Sequence, residues 1–211
     1  MIKFPFAGKA TPSGLASVTL IITALLCWGD SWWITGKAVV AQVLIKDAWE
    51  ETLATGATQK PWAWADTWPV AAIAFPSQNE QLYALAGSHG SSLAFGPGHL
   101  DGTALPGEPG TKVFSAHRDT HFRFLEQVAI GEIFKIQQKD GRWQHYRVAD
   151  TRVVNTNRDP WVIDPDSDEV QLVTCYPFNS MALDPTQRYI VTGIPVPAAS
   201  ERGRIVARLR M

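Results

Sequence analysis

Three side chains of this 211-residue chain have the types and positions that nucleophilic catalysis needs. Cys175 ends the strand-like run Val170–Cys175, and the Tyr176-Pro177 pair that follows could not continue a strand interior. The thiol is therefore expected at a strand terminus, where it can meet solvent and substrate. If the domain is exported, as the first third of the chain indicates below, a free thiol risks oxidation, which favours a chemical use for it. The alternative is that Cys175 is a small buried hydrophobe.

His117 and Arg188 lie at the ends of two further strand-like runs. His117 directly follows one run, and Arg188 opens the strand after the loop that follows Cys175. If the strands that hold Cys175 and Arg188 are neighbours joined by the loop Tyr176–Gln187, the thiol and the guanidinium emerge at the same edge of the sheet. A lone histidine is more often structural than catalytic, so the cysteine and the arginine are what favour catalysis.

These residue types fit acyl transfer through a cysteine. A thiolate attacks a peptide carbonyl, and an imidazole relays the proton to the leaving amine. A permanently charged guanidinium stabilises the oxyanion or holds the substrate, and near the sulfur it also favours the thiolate. This chemistry requires no metal and no organic cofactor, and we expect none.

Short strands are the elements that must position these residues. Glycine, proline, asparagine and aspartate separate the strand-like runs, which predicts a sandwich or a small barrel. Asp140-Gly141 is a plausible hairpin turn, and His121–Val128 is a short helical candidate. The glycine-rich stretch Gly87–Gly110 predicts a long surface loop near the site. The predicted strands are Val70–Phe75, Gln81–Leu85, Lys112–Ala116, Ile133–Gln137, Gln144–Val154, Val170–Cys175 and Tyr189–Gly193.

The first third of the chain differs in composition. Twenty uncharged residues lie between Lys9 and Asp30, and their apolar centre, Leu15–Trp28, is about long enough to cross a bilayer. Positive charge before this segment indicates a cytoplasmic N-terminus and an exported body, with Trp28, Trp32 and Trp33 at the outer interface. Seven of the nine tryptophans fall in the first third of the chain, which suggests interfacial anchoring. A cleaved signal peptide is the alternative, but the small residues Val39–Ala41 lie far beyond the apolar run. We therefore expect an uncleaved anchor.

The remaining segments complete the predicted division of the chain. Apolar residues at three- and four-residue spacing predict an amphipathic helix over Lys37–Thr55, and the Pro- and Trp-rich Gln59–Pro69 predicts a linker or a surface strap. The tail Glu201–Met211 carries four arginines against one glutamate and is expected to be a solvated end. The division is 1–36 for a cytoplasmic stub and anchor, 37–69 for helix and linker, 70–197 for the barrel and 198–211 for the basic tail. The apolar positions of the helix are Val39, Val40, Val43, Leu44, Ala48, Trp49 and Leu53.

Composition excludes several classes of protein. The chain is 45% hydrophobic and 18% charged, so it can build a core. Its 19 basic and 20 acidic residues leave no excess of positive charge for nucleic acid. If Cys27 lies in a membrane segment, it cannot pair with Cys175, which is then a lone thiol in the folded part.

The segments around the three residues resemble those of sortases, the cysteine transpeptidases of bacterial surfaces. Leu172–Cys175, Ala116–Arg118 and Arg188 occur in the order of that family, over roughly Val70–Val196. The tryptophan-rich stretch before the first strand further resembles the class GN, marine proteobacterial sortases of Gram-negative bacteria. The resemblance implies a mainly β fold, an eight-stranded barrel with short helices, whose unrecognised strand is expected in the glycine-rich loop.

The resemblance also implies a role for each site residue. Cys175 is expected to be the nucleophile, His117 the general acid and base, and Arg188 the clamp for substrate and oxyanion. Thr174 and Leu172 match the family's cysteine strand and are expected to shape the site. Asp119 could orient the imidazole of His117.

Partners and location follow from the same resemblance. Sortases cleave an LPxTG-like sorting signal between Thr and Gly, hold the acyl group as a thioester and pass it to an amine. A single dedicated target protein is expected, with its signal before a C-terminal membrane helix. The chain is expected to span the bacterial inner membrane once, with its catalytic domain in the periplasm.

Four alternatives stay open at this stage. A zinc hydrolase would use His117, His121 and Cys175, but the glutamate of a zinc helix is missing. An L,D-transpeptidase or another cysteine hydrolase would need a different cysteine context. A membrane-tethered binding barrel would leave Cys175 inert. Some sortases bind calcium in the loop that corresponds to Asp164–Glu169, although a solvated loop is the simpler expectation.

Overall fold

The structure is a computed structural model that describes residues 12–159, 161–180 and 185–196. It combines a long N-terminal helix with a barrel of short strands. The helices are α1 (Pro12–Thr55) and α2 (Gly90–Leu93), with 3-10 turns at Pro76–Gln78 and Arg123–Gln127. The strands are β1 (Pro69–Phe75), β2 (Glu80–Ala86), β3 (Gly98–His99), β4 (Lys112–Ser115), β5 (Ile133–Gln137), β6 (Trp143–Asn155), β7 (Val170–Tyr176) and β8 (Gln187–Val196).

Eight strands close into a barrel in the order β1-β2-β3-β4-β7-β8-β6-β5. The pairs β2/β3 and β4/β7 are parallel, and the other neighbours are antiparallel. The predicted mainly β fold with an eight-stranded barrel is confirmed. The hairpin turn between β5 and β6 is also confirmed, with Gly141 in the left-handed region at φ +83°. The predicted helix at His121–Val128 is a 3-10 turn over Arg123–Gln127.

The eighth strand, β3, lies inside the stretch predicted as a surface loop. It has two residues, too few to show the alternation by which a strand is recognised in a sequence. Gly98 is required there because an added Cβ would lie 2.3 Å from the carbonyl oxygen of Gly87. The expectation of a strand within Gly87–Gly110 is therefore confirmed.

Aromatic side chains fill the barrel interior. The rings of Phe75 and Phe134 stack with their centroids 4.7 Å apart, and Tyr146 stacks on the other side of Phe134. Gly193 makes room for this stack, since a Cβ there would lie 2.4 Å from the ring of Phe134. Burial of each large apolar side chain stabilises the fold by roughly 1.5–3 kcal/mol. This core holds the strands that carry the candidate site in fixed register.

The chain divides into two compact units at Ala41 and Gln42, within α1. In the second unit, the helix packs through Ile45, Ala48 and Trp49, and Trp49 Nε1 donates a hydrogen bond of 2.9 Å to Gln137 Oε1 on β5. The predicted amphipathic helix ends where α1 ends, at Thr55, but it is not a separate helix. The assignment of four positions to the buried face was wrong, because these side chains are exposed: Val39, Val40, Val43 and Leu44.

The predicted strap Gln59–Pro69 lies along the barrel. Ala65 and Thr67 are buried, and Thr67 Oγ1 donates a 2.8 Å hydrogen bond to the carbonyl of Ala86 on β2. Trp62 meets the ring of Phe95 edge-on, with centroids 5.2 Å apart. These contacts hold the strap against the strands that precede β3.

Within the part of the chain that the structure describes, no helix has both the length and the apolar character to cross a membrane. Most side chains of the predicted anchor Leu15–Trp28 lie outside the described ones. The predicted basic tail, 198–211, also lies outside the described residues.

Candidate active site

The antiparallel pair β7/β8 sets Cys175 directly opposite Arg188. Residues opposite each other in such a pair extend from the same face, with Cβ atoms about 4.5–5.5 Å apart. The expected meeting of thiol and guanidinium at one sheet edge thus follows from strand register. Both side chains are half-buried, and the Cys175 thiol is free.

The parallel pair β4/β7 brings His117 level with Cys175. Each residue of β4 pairs with the residue 58 positions later, from Lys112 with Val170 to Ser115 with Val173. Pairing continues past the end of β4, because the Ala116 amide donates a 3.1 Å hydrogen bond to the carbonyl of Val173. Extending the same register by one more residue places His117 beside Cys175. The 58 residues that separate His117 from Cys175 in the sequence therefore equal the offset between paired residues of β4 and β7.

Thr174 links β7 to the segment that carries His117 through a side-chain hydrogen bond. Its hydroxyl donates a 2.7 Å hydrogen bond to the carbonyl of Ala116, and both groups are buried. A buried hydrogen bond of this kind contributes about 1 kcal/mol, and an unsatisfied carbonyl would cost more. Thr174 thus fixes the main chain immediately before His117.

The guanidinium of Arg188 is anchored by main-chain carbonyls. Its Nη1 donates to the carbonyl of Pro185 and, at 3.1 Å, to that of Gln187. Among the described residues no carboxylate lies within ion-pair distance of it. Its positive charge is thus available to an oxyanion or a substrate on the face that Cys175 shares.

Two other predicted site residues do not meet the three. Leu172 is wholly buried in the barrel core, so it can shape the site only through packing. Asp119 is exposed in the turn after His117, and the described part of the chain holds no hydrogen bond between them. The structure brings together Cys175, Arg188, His117 and Thr174.

A small buried apolar cluster adjoins Cys175 on the outer face of the sheet. Val173 and Ile190 lie two residues from Cys175 and Arg188 on their strands, so their side chains share that face. Trp161 and Ile163, from the segment that leads from β6 to β7, pack against them. Sequence analysis did not identify this cluster, because Trp161 belongs to no strand.

His121 is a second imidazole near the site. Its turn is closed by a 3.1 Å hydrogen bond from the Phe122 amide to the carbonyl of His117. Burial, and then the nearby charge of His117, lower the pKa of His121 below its ordinary value, so it is neutral at pH 7. The zinc alternative gains no support, since the described residues contain no group of three or more ligands able to hold a metal ion.

The acidic loop Asp164–Glu169 contacts a buried ammonium. Nζ of Lys112, at the start of β4, lies against the carboxylate of Asp168 and donates a 2.8 Å hydrogen bond to the carbonyl of Gly110. Lys112 is only 2% exposed, whereas Asp168 is 59% exposed. The loop thus already holds a positive charge where the calcium expectation would place a cation.

Replacing Asp168 with asparagine is expected to destabilise the fold by about 2 kcal/mol, because it leaves the buried Lys112 charge without its counterion. Urea unfolding of the variant should show a lower midpoint. Asp166→Asn is the matched control, since its side chain is exposed in the same loop, and it should change stability by less than about 0.5 kcal/mol. Equal midpoints for the two variants would show that the Lys112 charge does not need Asp168.

A cavity of about 480 Å³ lies at the other end of these strands. It is lined by residues around the starts of β4 and β7, among them Thr103, Thr111, Ile163 and Pro165. Cys175 lies near the end of β7, so this cavity is not where the three reactive residue types meet. The candidate site therefore lies near the end of β7, away from this cavity.

Comparison with known proteins identifies similar sequences and folds. A family model described as a sortase domain matches residues 73–196. Sortase D of Bacillus subtilis (strain 168) is 30% identical over 122 residues, which make up 57% of this chain and 61% of that protein.

Solved structures give the same result. Sortase A from Corynebacterium diphtheriae superimposes with a TM-score of 0.57 at 26% identity, covering 67% of this chain and 66% of that one. Sortase C-1 from Actinomyces oris gives a TM-score of 0.55 at 33% identity, covering 62% of this chain and 75% of that one. The chain spans less than two thirds of the length of the Bacillus and Corynebacterium proteins.

Proposed function

Because the chain belongs to the sortase family, whose members are cysteine transpeptidases, we propose that it transfers an acyl group from a protein's sorting signal to an amine. The observation that carries this proposal is the register of three neighbouring strands. It sets Cys175 opposite Arg188 and brings His117 level with Cys175 on the other side.

In the first half-reaction, the thiolate of Cys175 attacks a peptide carbonyl carbon and forms a carbon–sulfur bond. The carbonyl oxygen becomes an oxyanion, which the guanidinium of Arg188 stabilises. His117 then gives a proton to the amine nitrogen as the carbon–nitrogen bond breaks. The products are a thioester on Cys175 and a free amine.

The second half-reaction runs through the same groups in reverse. An acceptor amine attacks the thioester carbonyl and loses its proton to His117, and the carbon–sulfur bond breaks to release the thiolate. Each acyl group thus moves from one amine to another without a net change in the enzyme. Water in place of the amine would give hydrolysis.

We propose an LPxTG-like signal, cleaved between Thr and Gly, as the substrate. The support for this signal is the sortase family to which the chain belongs. The tryptophan-rich segment before β1 supports membership of the class GN type, and from that resemblance we propose a single dedicated target protein. The acceptor is an amine.

The proposal is tested by incubating the purified chain with a library of LPxTG-type peptides and an amine nucleophile, and by identifying products by mass spectrometry. We expect a product that joins the acyl part of an accepted peptide to the amine. A protein that binds peptides and yields no product with any amine would instead be a binding barrel.

We propose that the chain is anchored in the inner membrane and exposes its barrel to the periplasm. The support is the uncharged stretch between Lys9 and Asp30, with lysines before it. In a Gram-negative host, the full chain should sediment with membranes and resist extraction by carbonate. Protease added to spheroplasts should remove the barrel. Recovery of the intact chain in the soluble fraction would contradict this location.

A further inference from the structure

The main chain around His117 is held on both sides. Before it, Ala116 is bound to β7 through its amide and its carbonyl. After it, the chain turns sharply, and the Phe122 amide donates back to the carbonyl of His117. His117 itself is exposed. Its position therefore depends on what fixes the start of this turn.

Arg118 is the residue that reaches from this turn to the other catalytic segment. Its side chain is turned inward and is only 9% exposed. Its Nη2 donates a 2.7 Å hydrogen bond to the carbonyl of Ser180, which lies 62 residues later in the loop between Cys175 and Arg188. Arg118 thus joins the segment that carries His117 to the loop that leaves Cys175.

Because the Arg118 guanidinium is buried, its hydrogen bond to Ser180 is costly to break. A buried charge is costly unless its donors find well-placed acceptors, and a hydrogen bond from a charged donor is about twice as strong as a neutral one. A planar guanidinium also binds in a fixed geometry, whereas an ammonium does not. If the turn and the loop moved apart, the Arg118 guanidinium would either become exposed to solvent or lose its hydrogen-bond acceptor while still buried.

We propose that Arg118 is a positioning residue, which locks the His117 turn against the loop after Cys175 and so sets the imidazole at the thiol. This inference rests on the proposed function. Reactive groups displaced by about 1 Å can lose on the order of 100-fold in rate. Loss of Arg118 should therefore lower the rate of acyl transfer while peptide binding stays the same.

Three variants of the full chain test this. Arg118→Met keeps the length and removes the donors, and it should lower kcat of acyl transfer by about 10- to 100-fold with KM within twofold. Arg118→Lys keeps a buried charge and one donor nitrogen, and it should recover part of the loss. Arg123→Met is the matched control: its exposed side chain joins the same two segments through a 3.4 Å bond to Asn179, and it should leave kcat within twofold.

A second measurement needs no substrate. The rate at which iodoacetamide alkylates Cys175 at pH 7, read from the mass of the Cys175 peptide, reports the thiol beside its imidazole. It should fall several-fold in Arg118→Met and stay unchanged in Arg123→Met. This measurement decides the positioning role even if no peptide in the library is a substrate, which would count against the proposed function alone.

Urea unfolding accompanies both measurements. If Arg118→Met does not fold, the folded Arg118→Lys should still show a lower kcat at unchanged KM. The inference is overturned if a folded Arg118 variant has kcat and alkylation rate within twofold of the parent chain. It is also overturned if the variant changes KM alone.

Discussion

Replacing Cys175 with alanine is expected to abolish acyl transfer and leave the fold intact. Without the sulfur no thioester can form, so the rate should fall by about 10,000-fold or more, as when a catalytic nucleophile is removed from other enzymes. The thiol is half-buried at a strand end, so its loss should change the free energy of unfolding by less than about 1 kcal/mol. The two effects are therefore separable.

The measurement compares initial rates and urea midpoints for the parent chain, Cys175→Ala and Cys27→Ala. The second variant is the matched control, because it removes the other cysteine of the chain and should keep full activity. If Cys175→Ala still transferred an acyl group, the nucleophile would be another residue. If Cys27→Ala lost activity as well, the contribution of Cys175 would need separate proof.

Replacing Arg188 with lysine or alanine is expected to lower kcat by about 100- to 1,000-fold. Arg188 lies directly opposite Cys175, and its Nη1 is committed to the carbonyls of Pro185 and Gln187. A lysine cannot make these contacts and also present donors to an oxyanion, because its donors share one nitrogen. We therefore expect Arg188→Lys to be nearly as impaired as Arg188→Ala.

Arg152→Ala on β6 is the control for this prediction. Arg152 is exposed and pairs with Ile190, two residues from Arg188 along β8. Its replacement therefore removes a nearby arginine while leaving the candidate site residues in place. Its kcat should stay within twofold of the parent chain. Full activity of Arg188→Lys would show that positive charge alone is sufficient, and full activity of Arg188→Ala would remove Arg188 from the mechanism.

The sequence predicts the strand-end positions of the three site residues because strand boundaries are marked by local chemistry. Pro177 ends the cysteine strand, and polar turns follow His117. The adjacency of β7 and β8 follows from their being consecutive strands in the sequence. The parallel pairing of β4 with β7 could not be predicted, since it joins strands far apart in the sequence. The structure shows that their spacing of 58 residues is the register of that pair.

Other features escaped prediction for separate physical reasons. The strand β3 is too short for periodicity, and its Gly98 reflects a close backbone approach and not a turn. The burial of Arg118 depends on Ser180, and no local pattern reveals which arginine is turned inward. The stripe of α1 that packs on the barrel is centred on Ile45 and Trp49, although Val43 and Leu44 fit the same periodicity.

The most direct test of the account is intact-mass spectrometry of the chain during turnover of an accepted peptide, without an acceptor amine. The account predicts a mass increase equal to the acyl part of the peptide, located on Cys175 and lost on addition of hydroxylamine, which cleaves thioesters. Cys175→Ala should gain no mass. Turnover without any adduct on Cys175, or an adduct that persists in Cys175→Ala, would contradict the proposed transfer through this thiol.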